Sequence, residues 1–271
     1  FSAVIFIGFA GNQGWNLGLG AIWIGIGNAI LGALLAWLVL GKRTRRMTQN
    51  LNVMTMPEFL EARYGSDHLK MISAVLIFVF LLPYSASVFK GLGHLFESTF
   101  GISYDFALIV LIGITGIYLV LGGYFAVTMT DFIQGFIMLA GAIAMLVVLT
   151  AKAGGPVAAV TAVASAYPEH IPEAARPSLL TVGSLIFMTS FGTWGLPQMV
   201  QKFYAIKDER VIGKAAVITT LFALVIGVCA YATGALSHVY FTPETVPHLA
   251  NGQVNYDLIV PTLLTAHLPE I

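Results

Sequence analysis

The chain contains apolar runs that are each long enough to cross a lipid bilayer. A transmembrane helix needs about 20 apolar residues, because each residue adds about 1.5 Å and the hydrocarbon core is about 30 Å thick. Only 10% of the 271 residues are charged, whereas soluble domains carry about 25%. We therefore predict an integral membrane protein in contact with the lipid bilayer. After a partial first segment, "FSAVIFIGFAGNQGW", the second to seventh runs cover residues 17–40, 71–96, 106–130, 132–151, 179–201 and 215–240.

These runs predict helices rather than strands. Within lipid, a helix satisfies its own backbone polar groups, and the runs lack the alternation with a period of two that a barrel strand requires. The predicted fold class is all-α, a polytopic helical membrane protein with a single transmembrane domain over residues 1–271. Gly122 and Gly123 predict a sharp reversal between the fourth and fifth segments, because glycine adopts backbone angles closed to other residues.

Basic residues are concentrated in two of the loops. Of the 13 Lys and Arg residues, six lie in residues 41–70 and four in residues 202–214. Cytoplasmic loops carry an excess of Lys and Arg, and an even number of predicted crossings separates these two loops. We expect both to be cytoplasmic, in a bacterial or archaeal plasma membrane.

The chain opens at Phe1 and closes at "TAHLPEI", which predicts an internal fragment of a longer chain.

Several classes of function find no support in the sequence. Cys229 is the single cysteine, so no intrachain disulfide is predicted. The six histidines lack metal-ligand spacing, and no basic stretch is interleaved with aromatic residues. We therefore predict no metal site from these residues, no cofactor and no nucleic-acid partner. No Ser/His/Asp set, HExxH motif or carboxylate pair lies inside the runs, so we expect no enzyme activity.

Five blocks of sequence, in order along the chain, resemble the sodium/solute symporter family. The first looks like the broken first core helix of the family, and the third is similar to its sodium/proline branch in particular. The last block carries Lys202 where the family usually has arginine. The blocks are "FSAVIFIGFAG" (1–11), "TMPEFLEARYG" (55–65), "PYSASVFKGLGHLFESTFGISYDFAL" (83–108), "LGGYFAVTMTDFIQG" (121–135) and "GLPQMVQKFYAIKD" (195–208).

The resemblance implies a LeuT-like fold, in which two inverted five-helix repeats hold solute and ion at broken helices one and six. The chain would contain core helices one to seven, with the first repeat at about 1–152 and the start of the second at about 177–271. The resemblance also implies sodium-coupled symport of a small organic solute by alternating access. Val4 and Ile5 stand where the sugar-carrying relatives have polar side chains, which favours an amino acid such as proline.

Asp131 is the only charged residue between Asp105 and Lys152. At a helix start, the helix dipole favours a carboxylate by about 0.3–1 kcal/mol, which would make Asp131 a purely structural residue. Deeper in the membrane, a lone charge costs at least ~2.5 kcal/mol, so it needs a partner or a water-filled path. The resemblance links Asp131 to ion coupling, with Thr130 and Gln134 beside it, and it implies a sodium-ligating carbonyl at Phe1.

Gly192, Gly195 and Pro197 interrupt the sixth segment, and backbone exposed by such a break must line a cavity. We expect the side chains around the break to contact the solute. The resemblance adds Ser2 and Ala3 in the first segment, and Tyr84 near the middle of the third. Ordinary helix packing remains an alternative role for Tyr84 and Trp194. The predicted solute-binding residues are Ser2, Ala3, Tyr84, Thr189, Thr193, Trp194, Pro197 and Gln198.

Three further questions stay open at the level of sequence. Lys90 lies about 10 Å outward from the centre of the third run, so its stem either reaches the interface or its ammonium pairs with a solute carboxylate. Gly8, Gly11 and Gly14 form either a helix-packing face or a discontinuous helix. The alternatives to sodium symport are a membrane sensor module of a signalling protein, and proton-coupled carboxylate uptake through Asp131.

Overall fold

Helices account for nearly all of the residues described in the computed structural model, namely 8–206, 208–249 and 251–267. These residues form no strand, and His248 and Val254 make an isolated β-bridge among them. The predicted all-α fold class is confirmed. The LeuT-like arrangement and the repeat boundaries remain predictions.

From Gly8 to Leu51 the chain is helical, with several departures from regular α-helix. Helix α1 ends at Gly18, whose φ of 55° and ψ of −134° lie outside the helical region. A glycine at this position avoids the steric penalty that a Cβ would bring. A pair of π-helical stretches, in which the backbone turns are wider, follows α2. The elements are α1 (Ala10–Leu17), a 3-10 turn (Gly18–Ala21), α2 (Ile22–Gly27), π-helices Asn28–Leu34 and Trp37–Gly41, and α3 (Lys42–Leu51).

The middle of the chain contains the two longest helices. Helix α5 has 34 residues with Pro83 in its interior, and α6 is divided at Gly123, where φ is 59° and ψ is −161°. Non-helical backbone therefore occurs within the predicted glycine pair, and it leaves two spans, Tyr104–Gly123 and Val127–Lys152. The sharp reversal of the chain at this point stays a prediction. The elements are α4 (Met56–Tyr64), α5 (Asp67–Phe100), α6 (Tyr104–Lys152) and α7 (Pro156–His170).

The last part of the chain contains the second predicted break. Helix α8 (Leu179–Phe191) leads through a 3-10 turn (Gly192–Gly195) into α9 (Pro197–Tyr204), with a bend of 52°. Two more helices follow, α10 (Ile212–Tyr240) and α11 (Tyr256–His267). The interruption of the sixth segment therefore lies where the sequence predicted it.

Five helical stretches of the described residues are long and apolar enough to cross a membrane, or six if the bent pair counts as one span. The first has 42 residues, about twice what one crossing needs, and it includes the break at Gly18. The protein is an integral membrane protein. The stretches are Ala10–Leu51, Asp67–Glu97, Tyr104–Gly123, Val127–Lys152, Glu209–Tyr240 and the pair Glu173–Gly195 with Pro197–Tyr204.

The chain forms two compact units, each assembled from separate stretches of sequence. The first comprises Phe1–Ile22, Ala86–Ser178 and Val225–Ile271, and the second comprises Trp23–Ser85 and Leu179–Leu224. The buried core of the first unit draws on α1, the second span of α6, α7, α10 and α11. Leu149, Val163, Ile259 and Leu263 are among its fully buried side chains.

The glycines of α1 form a packing face within the first unit. Gly14 lies against the backbone of Gly234 in α10, so that a Cβ at either glycine would overlap the other helix. A Cβ at Gly11 would lie 2.8 Å from the carbonyl oxygen of Tyr256 in α11. Small residues allow this close approach of helices. The sequence left open whether these glycines form a helix-packing face or a discontinuous helix. The contacts of Gly11 and Gly14 support the packing face.

Candidate functional site

The break between α8 and α9 exposes backbone polar groups within the second unit. Leu196 is extended, with φ of −66° and ψ of 126°, and Pro197 occupies the first turn of α9. Proline fits there because a first-turn residue has no intrahelical acceptor for an N–H. The N–H groups of Met199 and Val200 both donate to the carbonyl of Leu196, at 2.9 and 3.0 Å. Among the described residues, the N–H of Gln198 is then the donor in the first turn of α9 that is left for a small solute.

Asn28 links the second predicted segment to α8 through side-chain hydrogen bonds. The hydroxyls of Thr189 and Ser190 lie 2.7 and 2.9 Å from its amide oxygen, and both donate to it. Ser190 is fully buried. Polar side chains in membrane helices commonly hydrogen-bond across helices in this way. Asn28 was not among the predicted site residues, although a lone amide within an apolar run calls for a partner.

Trp194 is held at the break by two contacts. Its indole Nε1 donates to the carbonyl of Leu31 at 3.0 Å, and its ring packs on Phe191 with 4.8 Å between centroids. Thr193 donates to the carbonyl of Ser190 at 2.7 Å. These contacts give Trp194 a packing role. Its predicted contact with solute, like that of Thr193, stays a prediction.

Gln198 carries an unpartnered acceptor in the first turn of α9. Its Oε1 is buried, and it has no hydrogen-bond partner within the described part of the chain. An unsatisfied buried polar atom costs about 1–3 kcal/mol, so it is uncommon and needs an explanation. A bound solute with a hydrogen-bond donor would supply the missing partner. Thr189, Thr193, Trp194 and Pro197 are half-buried in the same stretch of chain.

Tyr84 lies at the middle of α5, directly after Pro83. The position of Tyr84 near the middle of the helix agrees with the prediction from sequence, and Tyr84 is 43% exposed. Proline removes one backbone hydrogen bond in a helix interior and tends to kink it. A contact between Tyr84 and solute remains a prediction.

The predicted ion-coupling residues lie near the start of the second α6 span, Val127–Lys152. Asp131 is the fifth residue of this span, and its side chain is exposed, as is that of Gln134, whereas Thr130 is half-buried. The effect of the helix dipole falls off within the first turn, so it stabilises Asp131 only weakly. The ion-coupling role of these residues stays a prediction. Phe1, Ser2 and Ala3 lie outside the described residues.

Arg45 secures the far end of α9 within the second unit. Its Nη1 donates to the carbonyl of Tyr204 at 2.7 Å, and Tyr204 is the last residue of α9. This hydrogen bond satisfies one of the carbonyls that a helix C-terminus leaves free. From the sequence, Arg45 only indicated which side of the membrane its loop occupies. In the structure it also caps a helix.

A cluster of aromatic and imidazole rings in the first unit was not predicted. His238, only 2% exposed, hydrogen-bonds through Nε2 to the carbonyl of Trp15 at 2.8 Å. Its Nδ1 lies 3.0 Å from Nδ1 of His170, and the Trp15 ring stacks on both imidazoles. Tyr167 donates to the carbonyl of Asn16 at 2.9 Å, and burial raises the pKa of Tyr167. Within the described ranges, no three His, Cys, Asp or Glu residues are placed to hold a metal ion.

Lys90 forms an ion pair within the first unit. Its Nζ lies 3.0 Å from Oδ2 of Asp257, in the first turn of α11. Neither interpretation of Lys90 from sequence included this partner, because 167 residues separate the two side chains.

Comparisons with known proteins identify the family of this chain. The model of the sodium:solute symporter family matches residues 1–271. The chain is 32% identical over 253 residues to the osmoregulated proline transporter OpuE of Bacillus subtilis, covering 83% of this chain and 49% of that protein. It is 33% identical over 276 residues to the sodium/proline symporter of Staphylococcus aureus, covering 95% of this chain and 52% of that protein. The chain therefore spans about half the length of the curated relatives that it matches.

Proposed function

Since the chain belongs to the sodium:solute symporter family, we propose that it forms part of a sodium-coupled symporter for a small amino acid such as proline. The observation that carries this proposal is the similarity, over most of the chain, to relatives named as proline transporters. The bend of 52° between α8 and α9 supports it, because broken helices supply polar backbone for substrates of secondary transporters.

The solute would bind at the break between α8 and α9. The N–H of Gln198 and the positive end of the α9 dipole suit a carboxylate. Gln198 Oε1, which has no partner among the described residues, would accept a hydrogen bond from the ammonium or imino group. Thr189, Thr193, Trp194 and Pro197 would complete the site, with Ser2, Ala3 and Tyr84 as further contacts. Such a site uses few charged groups, in keeping with the composition of the chain.

The coupling ion would be sodium, with Asp131, Thr130 and Gln134 on its route and a ligating carbonyl at Phe1. In the LeuT-like arrangement that we propose, sodium and solute would bind together from outside, and the bundle would then open towards the cytoplasmic loops, residues 41–70 and 202–214. Moving one charge through about 100 mV is worth about 2.3 kcal/mol, and a tenfold sodium gradient adds about 1.4 kcal/mol. At one sodium per solute, these terms would support roughly 500-fold accumulation.

Uptake by the full-length protein in proteoliposomes tests the proposal. An inward sodium gradient should drive accumulation of labelled L-proline, or of another member of a panel of amino acids and carboxylates. A potassium gradient of equal size, at the same membrane potential, is the control. The proposal is wrong if no solute in the panel shows sodium-dependent uptake, and uptake driven by a proton gradient without sodium would favour proton coupling instead.

A matched pair of variants tests the site at the break. Gln198→Ala removes the unpartnered acceptor and should raise the KM for solute about three- to tenfold, the equivalent of one hydrogen bond of about 0.5–1.5 kcal/mol. Gln201→Ala changes an exposed glutamine on the same helix and should leave KM unaltered. Equal effects of the two substitutions would show that Gln198 does not contact the solute.

A further inference from the structure

An open cleft of about 600 Å³ lies within the first unit, beside α1 and the start of α11. This volume is within the range of small-molecule sites, about 300–1,000 Å³. Lys90 and Asp257 both line the cleft, and its polar lining also includes the amides of Asn12 and Asn255. Phe9 and Val254 add apolar surface, and His94 also lines the cleft, with its Nδ1 3.3 Å from Oε2 of Glu97. The cleft therefore combines the charges of Lys90 and Asp257 with an imidazole that has its own carboxylate partner and with apolar surface.

The two charges of the cleft differ in how firmly they are held. Asp257 lies in the first turn of α11, where the helix dipole favours its carboxylate. Its Oδ1 lies over Gly8, so close that a Cβ at Gly8 would be 2.7 Å from it. Lys90 reaches Asp257 from α5, and its side chain is 58% exposed. Because a lysine stem has four rotatable carbons, its ammonium can leave Asp257 without any movement of the backbone.

The ion pair is easy to open. Its side chains are 58% and 42% exposed, and ion pairs this exposed to solvent contribute little to stability. A zwitterion that enters between the two charges replaces one ion pair by two, carboxylate with Lys90 and ammonium with Asp257. The net charge of the cleft stays the same, whereas a solute that is only cationic or only anionic leaves one of the two residues facing a neutral group.

From this geometry we propose that the cleft is an entry site for the zwitterionic solute, in which Lys90 binds the carboxylate and Asp257 binds the ammonium. The identity of the solute as an amino acid rests on the proposed symport function. The cleft is distinct from the break between α8 and α9, which belongs to the second unit. It lies by α11, in the region that the distribution of basic residues assigns to the outside, so it would receive solute before the transport cycle begins.

Binding without sodium tests the cleft independently of transport. Saturation-transfer difference NMR on the purified full-length protein in choline chloride would detect L-proline at the weak, millimolar affinity expected of an exposed site. Wild type should give a signal that saturates with proline concentration. Lys90→Gln and Asp257→Asn should each weaken that binding at least about threefold, the loss of one exposed, charge-assisted contact.

Charge-altered ligands separate direct contact from a structural effect. Prolinamide lacks the carboxylate charge and N-acetylproline lacks the ammonium, so wild type should bind both more weakly than proline. Lys90→Gln should abolish the preference for proline over prolinamide and keep the preference for proline over N-acetylproline. Asp257→Asn should have the opposite effect on the two preferences. Because each preference is a ratio measured within one protein, a partly unfolded preparation does not change it.

The ion pair between Lys70 and Glu61, at 2.7 Å and with side chains 47% and 30% exposed, provides the matched control. Lys70→Gln and Glu61→Gln should leave both ligand preferences at the wild-type value. Absence of sodium-free proline binding, or equal loss of affinity for all three ligands in Lys90→Gln, overturns the entry site.

The outcomes also separate this inference from the proposed function. Sodium-driven uptake without sodium-free binding would leave symport intact and refute the entry site. Charge-dependent binding without sodium-driven uptake would support the entry site and refute symport.

Discussion

Replacing Gly14 by alanine should push α1 away from α10. A Cβ at Gly14 would lie 2.5 Å from the backbone nitrogen of Ala235, whereas non-bonded heavy atoms have their optimum near 3.5–4.0 Å. The obstacle is backbone on a neighbouring helix, so no side-chain rotation can relieve it. The carbonyl carbon of Gly234 lies closer still, so the two helices would have to separate by at least about 1 Å.

The cost of this separation can be estimated from the packing. A gap of about 0.5–1 Å forfeits a quarter to a half of the dispersion attraction between the facing atoms, and overpacking of a well-packed interior costs about 1–3 kcal/mol. For a chain of this length, about 1 kcal/mol lowers the melting temperature by about 2–4 °C. We expect Gly14→Ala to melt roughly 2–12 °C below wild type.

Size-exclusion chromatography of the full-length protein in detergent, after heating over a range of temperatures, measures this shift. Gly116→Ala is the matched control, because a Cβ at Gly116 in α6 meets no atom within 4 Å. Alanine is also the better helix former by about 0.5–1 kcal/mol, so the control should melt no lower than wild type. A Gly14→Ala protein as stable as the control would refute the close packing of α1 on α10.

Three further predictions concern other parts of the chain. Asn28→Leu leaves two hydroxyls of α8 without their shared acceptor and should cost about 1–3 kcal/mol, measured in the same heating assay. Asp131→Asn should raise the sodium concentration for half-maximal uptake, whereas Asp105→Asn should not; an unchanged sodium dependence in both would exclude Asp131 from ion coupling. Burial lowers the pKa of His267, and Lys152 adds to the effect, so the folded state favours the neutral ring. The contribution of His267 to the packing of α11 is therefore complete above its ordinary pKa of about 6.5 and is lost as pH falls; hydrogen exchange in α11 should increase in acid in the wild type and not in His267→Gln.

The local features of the fold were predictable from the sequence. The apolar runs located the spans, and the glycines at 122–123 and 192–195 located two helix breaks, because run length and glycine content act on the backbone nearby. The π-helical stretch Asn28–Leu34 was not predicted, since no residue pattern distinguishes it from α-helix. Asn28, the first residue of this stretch, could nevertheless have been predicted as a site residue. Its amide lies in an apolar run and needs a hydrogen-bond partner there, as the carboxylate of Asp131 does.

Pairs that are distant in sequence could not be predicted. Lys90 and Asp257 are 167 residues apart, and His170 and His238 are 68 apart. Hydrophobic periodicity reports which face of a helix is buried but not which helix covers it. The six histidines therefore looked scattered, and two of them meet only because α7 and α10 pack beside α1.

The contact between His170 and His238 fixes where protons can reside. The carbonyl of Trp15 can only accept a hydrogen bond, so Nε2 of His238 carries the hydrogen. In neutral His238, Nδ1 then carries a lone pair and can only accept. His170 must then donate through its own Nδ1 across the 3.0 Å contact. Each imidazole therefore holds the other in one tautomer, and a flip of either ring would break this joint of α1, α7 and α10.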